Sequence, residues 1–238
     1  MIQERLKELR AQMQERGIDI YIVPTSDFHQ SEYVGEYFKA RKYMTGFTGS
    51  AGTAVITKEE AGLWTDGRYF IQAEKQLEGS TVKLFKMGEE GVPKVEEYVK
   101  DHLTEGSCIG FDGRVMDAKS GEKYAKMAEE KKAALYVKED LVGNIWKDRP
   151  QLPANKVWIL EDAYAGRSMA DKIADVRTQM QKEGADIHIL SSLYDIAWLL
   201  NIRGNDIAYN PVVLSYVIVT EDKLYPVSYT HLTLPTIA

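Results

Sequence analysis

This chain is poor in the residues that make dedicated chemistry. It has one cysteine, Cys108, and four histidines, His29, His102, His188 and His231, among 238 residues. A single thiol closes no internal disulfide, which excludes a disulfide scaffold and fits a reducing compartment. Cys108 lies in Ser107-Cys108-Ile109-Gly110-Phe111, the start of a buried strand, where a thiol packs rather than reacts. The histidines are scattered, and no Ser-His-Asp, Cys-His or metal-ligand array stands out. Basic residues are not in excess. Thirty Lys and Arg against 36 Asp and Glu give a net charge of −6, which argues against a nucleic-acid surface. No apolar run approaches the roughly 20 residues of a membrane span. The opening MIQERLKELRAQMQERG is charged throughout, unlike a signal peptide. The expectation is a cytoplasmic protein without nucleic-acid or membrane partners.

What the chain does have is an internal repeat. Residues 6–22 read LKELRAQMQERGIDIYI and residues 173–189 read IADVRTQMQKEGADIHI. Arg10, Gln12, Met13, Gln14, Gly17, Asp19, Ile20 and Ile22 recur in register as Arg177, Gln179, Met180, Gln181, Gly184, Asp186, Ile187 and Ile189. Each copy spaces apolar residues as a helix does, stops at a glycine suited to a left-handed cap, and enters an alternating strand. Capped helices are expected next, at Asp27 with Gln30 and at Ser192 with Asp195. Strands 54–57 and 216–220 close the two copies. Any two amphipathic helices share some pattern, but identity at this many positions in register favours duplication.

Two prolines in four residues, Pro150 and Pro153, mark a linker. Domain one is read as 1–150. Its expected order is helix 2–16, strand 18–23, helix 28–39, strands 53–57 and 62–65, helix 68–77, strand 81–86, helix 92–103, strand 108–112, helix 118–132 and strand 134–137. That alternation predicts an α/β fold, a mixed sheet flanked by helices. Domain two, 151–226, opens with strand 156–160 and a helix capped by Ser168 with Asp171, then enters the repeat. It is too short to finish the same sheet. An unfinished sheet leaves an open edge and apolar surface, so domain two is expected to be the less stable half. The uncharged tail 227–238, VSYTHLTLPTIA, is read as foreign sequence, with a final strand as the alternative.

Several strings invite function. In Trp64-Thr65-Asp66-Gly67-Arg68-Tyr69-Phe70, Thr65 or Asp66 can cap a helix, and Arg68 sits at a helix start, where the dipole disfavours a cation. By itself this favours a plain surface pair between Arg68 and a nearby carboxylate. His29 and Glu32, three apart, are too few for a metal site, so His29 reads as structural. The loop Gly46-Phe47-Thr48-Gly49-Ser50-Ala51-Gly52 lacks a phosphate loop's Gly-Lys-Ser/Thr ending and precedes a strand, so its glycines serve tight turns. Arg203, Asn205 and Asp206 follow an apolar helix in a loop that, on its residues alone, is merely solvated.

Together HQSEY (29–33), GFTGSAGTA (46–54), WTDGRYF (64–70), IWKDRP (145–150), DIAWLLNIRG (195–204) and NPV (210–212) make residues 3–226 resemble the N-terminal region of Xaa-Pro aminopeptidases of the creatinase/prolidase type. The resemblance implies two tandem creatinase-like N-terminal domains, the second incomplete, as in the three-domain form of that family. It implies that Asp66, Arg68 and Tyr69 lie near the mouth of the catalytic cleft and shape the substrate pocket. His29 would sit at a domain interface, and Arg203, Asn205 and Asp206 in a docking loop against the catalytic domain. In such enzymes a C-terminal domain holds two divalent ions, usually Mn²⁺, on two Asp, two Glu and a His, and the ions activate a bridging water. No such array is found here, so no cofactor, metal ligand or catalytic residue is assigned to this chain, which is expected to be inactive alone. The complete protein would act on peptides with penultimate proline and be a homo-oligomer. The alternative is a stand-alone, non-catalytic peptide- or protein-binding module of the same fold.

Overall fold

The computed structural model describes residues 1–228. The chain divides into two compact units, Met1–Val34 with Phe38–Arg149, and Gly35–Tyr37 with the chain from Pro150 onward.

In the first unit α1 (Ile2–Glu15) leads into β1 (Ile20–Pro24), and a 3₁₀ turn at Glu36–Phe38 precedes α2 (Ala40–Thr45). Then come β2 (Thr53–Thr57), β3 (Ala61–Thr65), α3 (Phe70–Leu77), β4 (Lys83–Lys86), α4 (Val95–His102), β5 (Cys108–Phe111), α5 (Ala118–Lys131), β6 (Ala134–Tyr136) and α6 (Leu141–Ile145). The six strands form one sheet in the order β4-β3-β2-β1-β5-β6. Only β2 runs against the others. Alternation along β1 builds two cores. Tyr21 and Val23 join Leu6, Leu9 and Met13 of α1 on one face. Ile20 and Ile22 join Val99 of α4 and Tyr124 and Ala128 of α5 on the other. Trp64 of β3 stacks on Phe85, with ring centroids 3.9 Å apart, and donates its indole N–H to the Pro93 carbonyl. Cys108 is buried, which pushes its thiol up and leaves it a packing residue.

The second unit contains β7 (Trp158–Ile159), α7 (Asp162–Ala165), α8 (Met169–Glu183), β8 (Ile187–Leu190), α9 (Leu193–Leu199), β9 (Ile202–Arg203), β10 (Ser215–Thr220) and β11 (Leu224–Ser228). Its main sheet has the order β11-β10-β8, and β7 pairs with β9. One core covers one face: Ile173 and Met180 of α8 meet Ile196 and Leu199 of α9 and Val217 and Val219 of β10.

The duplication extends to hydrogen bonds. Gly17 and Gly184 end α1 and α8 at φ 66° and 65°. Arg10 Nε donates to the Thr57 carbonyl at 3.0 Å, and Arg177 Nε donates to the Thr220 carbonyl at 3.0 Å. Arg5 donates to the Tyr43 carbonyl at 2.8 Å and lies over the Tyr43 ring. Lys172 does the same to Trp198, also at 2.8 Å. Ile20 lies opposite Thr57 in β1–β2, as Ile187 lies opposite Thr220 in β8–β10.

The expected helix 28–39 does not form. The Asp27 carboxylate accepts from the backbone N–H groups of His29 (2.8 Å) and Ser31 (3.0 Å), and Gln30 takes φ 57°. The Asp27 side chain closes a tight turn in place of the helical ladder, and α-helix begins only at Ala40. Ser192 does cap its helix, accepting from the Asp195 N–H at 3.4 Å, and Ser168 caps α8 through the Asp171 N–H at 3.1 Å. Val227 and Ser228 belong to β11; the rest of the tail, with His231, lies outside the described residues.

Candidate functional site

Five of the six strands of the first sheet point the same way, so their C-terminal ends share one edge. In α/β sheets such edges are where loops present functional groups. Here β1 delivers Ser26–His29, β3 delivers Asp66-Gly67-Arg68-Tyr69, and β5 delivers Asp112-Gly113-Arg114.

The Asp66 corner is a clamp. Asp66 Oδ1 accepts from the Arg68 backbone N–H (3.1 Å) and Nε (2.8 Å), and Oδ2 accepts from Nη2 (2.9 Å). The hydrogen bonds from Arg68 hold the Asp66 carboxyl below the usual carboxylate range, and the Asp66 partner raises the Arg68 guanidinium. Arg68 is thus paired with a near carboxylate, as its residues alone predict. The same contact fixes the fork of an exposed cation beside the Tyr69 ring, 5.2 Å from its centroid. Tyr69 precedes α3, and its hydroxyl is 2.7 Å from the Ser50 hydroxyl. One turn on, Gln76 accepts from the Thr48 N–H at 2.9 Å. Helix α3 therefore holds the glycine-rich loop from one side.

Arg41 of α2 holds that loop from beneath. It is buried, stacks over the Phe47 ring, and donates to the Phe47 and Gly49 carbonyls and to the Thr25 hydroxyl (3.0 Å). Burial pushes its guanidinium down to about 10. The loop is thus a rigid shelf tied to α2 and α3.

Sequence reading passed over a second clamp with identical bonding. Asp112 accepts from the Arg114 N–H (3.0 Å), Nε (3.0 Å) and Nη2 (2.9 Å). Its signal was present, since Asp-Gly-Arg follows an apolar strand in both places. Beside it, Asp140 caps α6 through the Gly143 N–H and pairs with Arg149. Tyr21, Ser26, Asp112, Asp140 and Arg149 line a cavity of about 20 Å³, room for one water.

The other expected residues are placed as follows. His29 is half-buried in the Asp27 turn. Arg203 in β9 donates to the Ala197 (2.7 Å) and Ile202 (2.8 Å) carbonyls. Asp206 is buried and accepts from the Leu214 N–H at 2.9 Å. The Asn205 carbonyl accepts from the Asn155 side chain at 2.9 Å. Arg203 and Asp206 thereby shape their own loop. Among the described residues no group of three or more His, Cys, Asp or Glu converges as a metal site would. The carboxylates at the sheet edge serve arginines and backbone N–H groups, so they do not fit a metal pair. No helix among the described residues is long and apolar enough to cross a membrane.

A duplicated mixed-sheet α/β unit, with arginine clamps at one sheet edge, is the class of protein that fold and site define. The family model of the creatinase/prolidase N-terminal domain matches residues 5–138, and a second model of the same description matches 148–231. The chain belongs to the creatinase/prolidase N-terminal domain family. It is 42% identical to aminopeptidase P2 of Arabidopsis thaliana over 94% of this chain and 32% of that protein. It is 46% identical to a probable Xaa-Pro aminopeptidase P of Pyrenophora teres f. teres over 91% of this chain and 33% of the relative. The solved X-prolyl aminopeptidase of Caenorhabditis elegans, described as a cytosolic enzyme with a di-nuclear active site, superposes with a TM-score of 0.88 at 34% identity. That match covers 95% of this chain and 38% of the solved one. The chain thus spans about a third of the length of the relatives it matches, at their N-terminal end.

Proposed function

We propose that this chain is the N-terminal, non-catalytic portion of an Xaa-Pro aminopeptidase that removes the residue preceding a penultimate proline. The observation that carries this is its end-to-end match to the first third of aminopeptidases P. In the complete enzyme the Asp66–Arg68–Tyr69 corner lines the peptide's approach. Asp66 holds Arg68 by Nε and Nη2, so Nη1 is presented in a fixed direction, suited to a peptide carbonyl or carboxylate. Two divalent ions, Mn²⁺ by family resemblance, belong to the catalytic part, and this chain supplies none of their ligands. His29 and the Arg203–Asp206 loop serve assembly surfaces against that part. A homo-oligomeric, cytoplasmic parent completes the reading.

The test is an Xaa-Pro dipeptide assay with Mn²⁺. The 238-residue chain is expected to be inactive, while the full-length polypeptide is active. In the latter, Arg68→Ala is expected to raise KM with little change in kcat, as loss of uniform binding does. Metal-dependent cleavage by the purified 238-residue chain overturns the reading.

A further inference from the structure

Ile187 and Ile189 are the duplication partners of Ile20 and Ile22, yet they live in opposite environments. Ile20 and Ile22 are each 1% exposed, whereas Ile187 and Ile189 are 59% and 64% exposed. In the first unit these side chains lie under α4 and α5, together with Val55 and Trp64 of the neighbouring strands. In the second, register places Ile189 beside Ile218, and Ile218 beside Tyr225. Side chains of one row share a face, so Ile187, Ile189, Ile218, Tyr225 and Val227 form an apolar face, with Tyr225 and Val227 46% and 49% exposed. The one core of this unit lies on the other face.

The edge of β8 tells the same story in backbone groups. The Thr220 N–H donates to the Lys223 carbonyl, within the hairpin and away from β8. Residues directly opposite in an antiparallel pair face each other or both face away. The N–H and C=O of Ile187, and of Ile189 two residues on, therefore point to the edge that no strand covers among the described residues. In the first unit the equivalent edge of β1 is taken by β5, running parallel, with Ile20 beside Ile109 and Ile22 beside Phe111. Asp19 starts that pairing. Its carboxylate accepts from the Cys108 N–H at 2.7 Å, and its own N–H donates to the Cys108 carbonyl at 2.9 Å. Asp186 is its counterpart.

We propose that this edge and face of the second sheet are the seat of a helix–strand–helix segment from later in the same polypeptide. Its strand pairs parallel to β8, with its first N–H on the Asp186 carboxylate, and its helices cover Ile187 and Ile189. This rests on the reading of the chain as the front of a longer protein, in whose relatives the matched part is only about a third. A second copy fits less well. Two β8 edges related by a twofold axis would run antiparallel and leave the isoleucine face in water.

The experiment is residue-resolved hydrogen exchange on the 238-residue chain and on a chimera. The chimera joins residues 1–228 to the segment that follows the matched region in Arabidopsis aminopeptidase P2. In the chain alone, the Ile187 and Ile189 amides are expected to exchange at nearly unprotected rates while those of Ile20 and Ile22 are protected. In the chimera all four are protected. Asp186→Ala there lowers protection at Ile187 and Ile189 by about tenfold, the scale of one charge-assisted hydrogen bond, and leaves Ile20 and Ile22 unchanged. Should the chimera not fold, Ile187→Lys with Ile189→Lys in the 238-residue chain keeps the test open, because side chains already in water leave the melting midpoint unmoved. Three results overturn the proposal: unfolding by that double variant, unprotected amides in a folded chimera, or protection in the chain alone accompanied by a dimeric mass. Absence of Xaa-Pro hydrolysis in a protected chimera counts against the functional reading and not against this one.

Discussion

A buried arginine with no carboxylate beside it is the costliest single residue in the first unit. Arg41 gives its hydrogen bonds to two backbone carbonyls of the glycine-rich loop and one hydroxyl. Removing it strands those acceptors and opens a gap. Arg41→Met is expected to cost about 2–4 kcal/mol in urea denaturation. Arg41→Lys recovers little, since an ammonium cannot reproduce the planar fork. Glu139 makes the opposite kind of contact, on the surface. Arg16 first, then Tyr136, hold its carboxyl down at about 2. A depressed folded pKa places its contribution above the unfolded value of 4.5, to be lost as pH falls toward 2. Its ¹³C carboxyl shift is expected to titrate near 2, and Arg16→Met moves that midpoint up toward 4.5. A midpoint at 4.5 in the unmodified chain contradicts the pairing.

Elements depend on how their ends are closed. Helix α1 starts at Met1 without a side-chain cap, whereas its duplicate α8 is capped by Ser168. Ser168→Ala is expected to cost about 1 kcal/mol, read as a lowered melting temperature of the second unit with the first unchanged. The segment after β1 shows the limit of local signals. Asp27 with Gln30 has capping-box spacing, as Ser192 with Asp195 does, but only the serine starts a helix. The Asp27 carboxylate is buried, where two backbone donors two and four residues on outcompete the helical geometry. Burial of that carboxylate is a tertiary fact, not legible in the tetrapeptide.

At the scale of the whole molecule the two units are unequally provided for. The first has a core on each face of a six-stranded sheet; the second has one core behind three strands. Each fully buried Ile, Leu or Val contributes about 1.5–3 kcal/mol, so a missing core is decisive for a unit of marginal net stability. Calorimetry of the 238-residue chain is expected to show two transitions, with the second unit melting first. A single cooperative transition contradicts this. The pattern also explains how a chain with an ordered substrate-side corner can lack its own reaction. Its charged groups are spent on holding loops, Asp66 on Arg68 and Asp112 on Arg114.

The sequence by itself determined the duplication, the alternation of helices and strands, the glycine stops at Gly17 and Gly184, and the family. All of these are written in spacing along the chain, through 3.6-residue and 2-residue periods and fixed motif strings. Only the tertiary structure decided what long-range geometry controls. It made the Asp27 segment a turn, set Arg41 beneath the loop, and brought a second Asp-Gly-Arg clamp to the same sheet edge. It also left Ile187 and Ile189 in water while their twins Ile20 and Ile22 are buried. Identical local patterns diverge there because burial belongs to whatever packs across the sheet, not to the strand that carries the side chain.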